Sequence, residues 1–131
     1  MHMPYGQGKV PRPDFKVKYS FLTYEEGGRR NLPFQGLRCD FSYEGDSISQ
    51  STIYMIHPEF LDDNDNVIVD DNTPVGKTDH AFMWILNPEM RKEVHQKRIR
   101  IGVKGFLQEG QKRIASVEVI EIIGLHENPT E

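Results

Sequence analysis

The sequence is poor in the features that announce most activities. It holds one cysteine, Cys39, so no internal disulfide can form, which fits a reducing compartment. A lone cysteine within a strand pattern reads as a small core residue rather than a nucleophile. No apolar run approaches the roughly 20 residues that cross a bilayer as a helix. The opening MHMPYGQGKVPRPDF has no hydrophobic signal core, so a cytoplasmic protein without a membrane partner is expected. His57, His80, His95 and His126 show no ligand spacing, and no Cys pair, HExxH or GxSxG occurs. No carboxylate lies in an apolar context that would argue for a raised pKa. The expectation is a non-enzyme with no catalytic residues, no metal and no cofactor.

Two stretches come near ligand motifs and fail at particular residues. The run VGKT, Val75 to Thr78, resembles the end of a phosphate-binding loop. Such a loop needs a glycine five positions before its Gly-Lys pair, so that backbone N–H groups can reach the phosphates. That position is Asp71, an anion, and the residues downstream read as a strand. A turn is expected, and no nucleotide. DDNDN, Asp62 to Asn66, resembles a calcium loop, but Val67 stands where the sharp turn needs glycine and Thr73 where a bidentate Glu belongs. A polar hairpin tip is expected there.

What is present is a series of short alternating segments. The 131 residues suit one domain, and the 37% apolar fraction is concentrated in aromatic and β-branched clusters that can form a core. Phe15, Val17, Tyr19 and Phe21 alternate with Lys16, Lys18 and Ser20, a half-buried strand. Leu37 to Tyr43 repeats the logic. A third strand is expected from Ile48 to Ile56, ended by Pro58, then a short one over Val67 to Val69 and another over Ala81 to Leu86. Asn87 before Pro88 reads as an N-cap and first helical residue, opening two helical turns at most. Ile99, Ile101 and Val103 suggest the next strand, and Arg113 to Ile123 the last. In that last strand the phase slips between Val119 and Ile120, which predicts a bulge or a strand covered on both faces. The pattern is all-β, a closed antiparallel barrel or a sandwich, with one short helix. Residues 1–14 are expected to form a flexible N-terminal arm, 15–124 the single domain and 125–131 a C-terminal tail. Val17, Tyr19, Phe41, Ile99, Ile101, Val103 and Val119 are the expected core.

Charge is unevenly spread. The net charge of -4 gives no general attraction to nucleic acid. Yet Lys9 to Arg38 carries seven Lys or Arg against three acids, Glu59 to Asp79 one against seven, and Glu89 to Arg113 eight against three. Two basic regions flank an acidic one, either as ordinary solvated surface or as a polarised surface with a basic binding face.

The most distinctive stretch is EEGGRRNLPFQGLRCDF, Glu25 to Phe41. Gly27 and Gly28 permit a tight backbone path. Arg29 and Arg30 supply extended donors suited to phosphate or carboxylate. Pro33 stiffens the return, and Arg38 lies on the polar face of the next strand. With Glu25, Glu26, Gly27, Gly28, Arg29, Phe34, Gly36, Arg38 and Phe41 in place without a gap, this stretch resembles the signature opening the C-terminal domain of elongation factor Tu. ILNPEM and QEGQKRIASVEVIEI resemble that domain's later strand end and closing turn, so the resemblance covers roughly Phe15 to Gly124. It implies a six-stranded antiparallel closed barrel that contacts the T-stem of aminoacyl-tRNA and binds proteins. No GTPase motif accompanies it, so GTP hydrolysis is not implied. Carried over singly, it points to Arg29, Arg30, Arg38, Asn87, Glu109, Gly110, Lys112 and Arg113 as an RNA- or anion-binding set. Gly27, Gly28, Pro33 and Gly36 would shape the turn. Asn87 departs from the family's His or Lys, and Gln111 from its second glycine. The expectation is a noncatalytic module binding RNA or a translation-associated protein. The alternative is a pure protein-interaction module, a decoy or immunity-type partner.

Overall fold

In a computed structural model of the chain, residues 1–7, 12–46 and 53–131 are described. Strand β1 (Phe15–Phe21) runs through the middle of a single sheet and buries Phe15, Val17, Tyr19 and Phe21 as its alternation predicts. The other strands are β2 (Asp40–Tyr43), β3 (Ile56–Phe60), β4 (Thr78–Ile85), β5 (Lys104–Glu109) and β6 (Lys112–Ile122). Their order across the sheet is β2-β5-β6-β1-β4-β3, with each pairing antiparallel. The sheet curls around an aromatic core in which the Tyr19 ring packs edge-on against Phe21 and Phe60, both at 5.2 Å. Cys39 is buried in this core, and burial pushes its thiol up to about 12. No helix among the described residues is long and apolar enough to cross a membrane.

The expected closed barrel is corrected to a curled, barrel-like sheet that stays open between β2 and β3. Among the described residues only Phe41 and Tyr54 bridge the gap, exchanging two backbone hydrogen bonds of 2.9 and 2.8 Å. The reason lies in the β3 edge. Pro58 has no N–H to offer a neighbouring strand. Phe60 already spends its edge groups: its N–H donates to Gln35 Oε1 (2.9 Å), and its carbonyl accepts from Gln35 Nε2 (2.8 Å) and the Ile68 N–H (3.1 Å). Thus Pro58, expected to end a strand, sits inside an edge strand. Of the strand expected over residues 48–56, positions 48–52 lie outside the described residues. Val67 contributes a single bridge to Leu61. The DDNDN stretch forms the polar tip, with Asp62 Oδ1 accepting from the N–H groups of Asn64 (2.8 Å) and Asn66 (3.0 Å).

The helical region is longer than expected. Asn87 caps it, its Oδ1 accepting from the N–H groups of Glu89 (2.9 Å) and Met90 (3.2 Å). Helix then runs through Pro88–Met90, a π-helical Arg91–His95 and Gln96–Arg98. This run displaces the next strand. Ile99 still donates its N–H to the His95 carbonyl, and a turn follows, closed by Val103 N–H on the Arg100 carbonyl. Ile101, expected inside, is 70% exposed on that turn. Val103 is half-buried, and β5 begins only at Lys104. In β6, Val119 faces Val17 but Glu121 faces Lys16, so Ile120 is the extra residue of a bulge at the phase slip seen in the sequence.

Both ends of the chain are fastened to the sheet. Residues 1–7, expected as part of a loose arm, are seated on β3 and β4. His2 Nε2 lies 2.6 Å from Glu59, which also accepts from the Tyr5 N–H and the Trp84 indole. Asp14 and Arg91 form a buried pair at 2.7 Å. The carboxylate of Asp14 also accepts from the Ile85 N–H and Asn128, while Arg91 also donates to the carbonyls of Ile85 and Pro129. Every charge in this cluster has hydrogen-bond partners, the condition under which a buried ion pair is tolerated.

Candidate functional site

The connection leaving β1 turns at once on a reciprocal clamp. The Thr23 N–H donates to Glu26 Oε1 (2.8 Å), and the Glu26 N–H donates to Thr23 Oγ1 (3.2 Å). The backbone of Thr23 first, and its side chain second, hold the Glu26 carboxyl below its ordinary value. Gly27 follows at φ +94°, and Gly28 passes so close to Leu22 that a Cβ there would lie 2.8 Å from the Leu22 carbonyl carbon. The two glycines therefore have separate tasks, a left-handed turn and a close backbone crossing. Together they fold Arg29 and Arg30 back beside the end of β1.

This return path encloses a cleft of about 350 Å³ lined by Tyr24, Glu25, Arg29, Arg30, Asn31 and Lys77, with apolar neighbours from the end of β1. Lys77 arrives from the start of β4, where its carbonyl accepts the Phe21 N–H at 2.9 Å. Arg30 lies over the Tyr24 ring, 4.6 Å from its centroid, and donates to the Tyr24 hydroxyl at 3.1 Å. Half of Tyr24, 52%, remains exposed. Arg29 donates to the Asn31 carbonyl and forms a 2.7 Å pair with Glu109, which fastens the connection to the β5–β6 hairpin. Both members of that pair are partly exposed, so it contributes only about 0–1 kcal/mol and leaves Arg29 available to another anion. Among the lining residues three cations thus meet one acid, Glu25, with Glu109 paired to Arg29 and Glu26 near Lys77 just outside.

The remaining expected residues divide. Gly110 and Lys112 belong to the same hairpin as Glu109, with Lys112 exposed opposite Glu109 in the register. Arg38 is exposed beside Tyr5 and His57, and its charge, after burial, holds His57 below its ordinary value. Arg113 turns away over the Phe106 ring at 4.0 Å, toward the Asp46 carbonyl. Asn87 is committed to its helix cap and lies at the far end of β4 from Lys77. Pro33 is buried and offers its carbonyl to the Val75 N–H, and Gly36 lies in the turn that leads toward β2. Sequence reasoning missed Tyr24 and Lys77 as cleft residues. The VGKT stretch, expected as a turn, bends at Lys77 and enters β4 at Thr78, and its lysine reaches the cleft from there.

Among the described residues, Asp65, Asp79 and His80 bring potential metal-ligand atoms within 4.8 Å. Lys16 already occupies this cluster, 2.6 Å from Asp65, and lowers the Asp65 pKa together with His80. Comparison with models of known protein families gives no match, and comparison with curated proteins gives none either.

Proposed function

We propose that this chain is a noncatalytic binding module, resembling the C-terminal barrel of elongation factor Tu, whose ligand is RNA. The observation that carries this reading is the meeting of Arg29, Arg30 and Lys77 with the exposed Tyr24 ring in one cleft, on a molecule whose total charge is negative. Local concentration of cations, rather than net charge, attracts a polyanion to one face. Three of the acids between Glu59 and Asp79 are engaged elsewhere: Glu59 under the N-terminal residues, Asp62 in its hairpin tip and Asp65 with Lys16. Binding of structured RNA should weaken with salt at a log–log slope of about -0.7 to -0.9 per phosphate neutralised. Replacing Arg29 and Arg30 together by Ala should lower affinity and flatten that slope by roughly one to two units, with the fold intact. Equal binding by the double variant across a salt series would refute the assignment to this cleft.

A second reading has its own support. Met55 and Leu86 are 55% and 46% exposed and are joined by a hydrogen bond from the Leu86 N–H to the Met55 carbonyl. An apolar surface pair of this kind suits a protein-interaction module. Absence of RNA binding at low salt would favour it.

A further inference from the structure

We infer that the cleft takes one unpaired nucleotide of single-stranded RNA, its base stacked at Tyr24 and its phosphates held by Arg29, Arg30 and Lys77. The inference rests on the RNA reading above and names the form of RNA. Three observations carry it. First, Tyr24 is 52% exposed at the cleft and the Arg30 guanidinium lies over its ring, so an incoming base meets an aromatic ring and a planar cation on which to stack. A duplex cannot use such a ring, because its base faces are covered by their neighbours and only edges, 2′-hydroxyls and phosphates are offered. Second, the volume of about 350 Å³ is at the small end for a ligand site, room for one nucleotide rather than for the side of a helix. Third, the cations approach from two parts of the chain, Arg29 and Arg30 from the connection and Lys77 from the start of β4. A backbone can therefore be gripped on both sides of the stacked base.

The test is fluorescence anisotropy with a labelled 12-nucleotide oligouridylate, a 12-base-pair RNA duplex and a 12-residue oligoglutamate, in low salt and across a salt series. The single strand should bind at least about 10-fold more tightly than the duplex. Tyr24→Ala should weaken it on the order of 10- to 100-fold, while Tyr24→Phe keeps most of the affinity. Lys77→Gln should flatten the salt slope by about 0.7. Duplex binding as tight as the single strand, or unchanged affinity in Tyr24→Ala, would overturn the inference and leave RNA binding itself standing. Oligoglutamate binding as tightly as oligouridylate would assign the cleft to an acidic protein and overturn it too. No binding of either RNA at low salt would overturn the underlying RNA reading as well.

Discussion

Acidification should unlock the molecule at His95 before it touches most carboxylates. The ring is fully buried, stacked beside Tyr43 and edge-on to Tyr54 at 4.8 Å. Its Nδ1 lies 2.6 Å from the Tyr43 hydroxyl, and among the described residues its Nε2 has no partner. Burial first, then the charges of Arg98 and Arg91, push its pKa down to about 4 from 6.5. A histidine depressed in the fold is neutral there and gains protons only on unfolding. Its contribution is therefore complete above pH 6.5, shrinks as pH falls through the window from 6.5 to about 4, and is gone below it. At 1.36 kcal/mol per pKa unit, the window is worth about 3 kcal/mol. Urea midpoints measured at intervals between pH 7.5 and 4 should show the loss, with a slope approaching one proton near pH 5. His95→Gln can still hydrogen-bond Tyr43 but cannot titrate, so it should be nearly flat over the upper part of the range. His57, also held low, and the depressed acids Glu26, Asp65 and Asp70 act alike in both proteins and cancel in the difference. Parallel curves for the two proteins, or a wild type that gains stability as pH falls, would refute the reasoning.

Three further substitutions test the buried ion pair at the start of β1 and the turn that shapes the cleft at its end. Arg91→Leu leaves Asp14 charged and buried without its partner, so chemical unfolding should show a loss of about 3–5 kcal/mol; a loss below about 1 kcal/mol would mean the pair is not held as described. Gly28→Ala forces a methyl into the Leu22 backbone and should cost about 1–3 kcal/mol in the same assay, whereas Gly27→Ala, which has open space and only the positive φ against it, should cost about 1 kcal/mol; equal effects would contradict the separate tasks assigned to them.

The legible parts of this chain were those that depend on near neighbours. The alternation from Phe15 to Phe21, the phase slip at Ile120 and the Asn87–Pro88 cap are each written within a few residues, and each has its structural counterpart. What could not be read depends on distant partners. Pro58 belongs to a strand because its side of β3 faces no ladder, a fact set by Gln35 and Ile68. The Ile99–Val103 alternation looked like a strand because nothing local says that Arg91 will be drawn inward to Asp14 and His95 to Tyr43, carrying the helix on to Arg98. At the cleft, the glycines and arginines were visible as unusual, but the meeting of Tyr24 with Lys77 is made by the β1–β4 pairing.

The central place of β1 has a consequence for how the molecule is made. Of the six described strands β1 is synthesised first, yet in the finished sheet it is flanked by β4 and by β6, which is synthesised last of the six. At roughly 5–20 residues per second, its apolar face waits about 5–20 s for β6. Asp14 waits as well, since Arg91 and Asn128 both come later. Such pairings between distant segments belong to the slower-folding topologies. A nascent chain stopped before Lys112 would hold β1 with one flank bare and β5 without its hairpin partner, an invitation to a chaperone or to another unfinished copy.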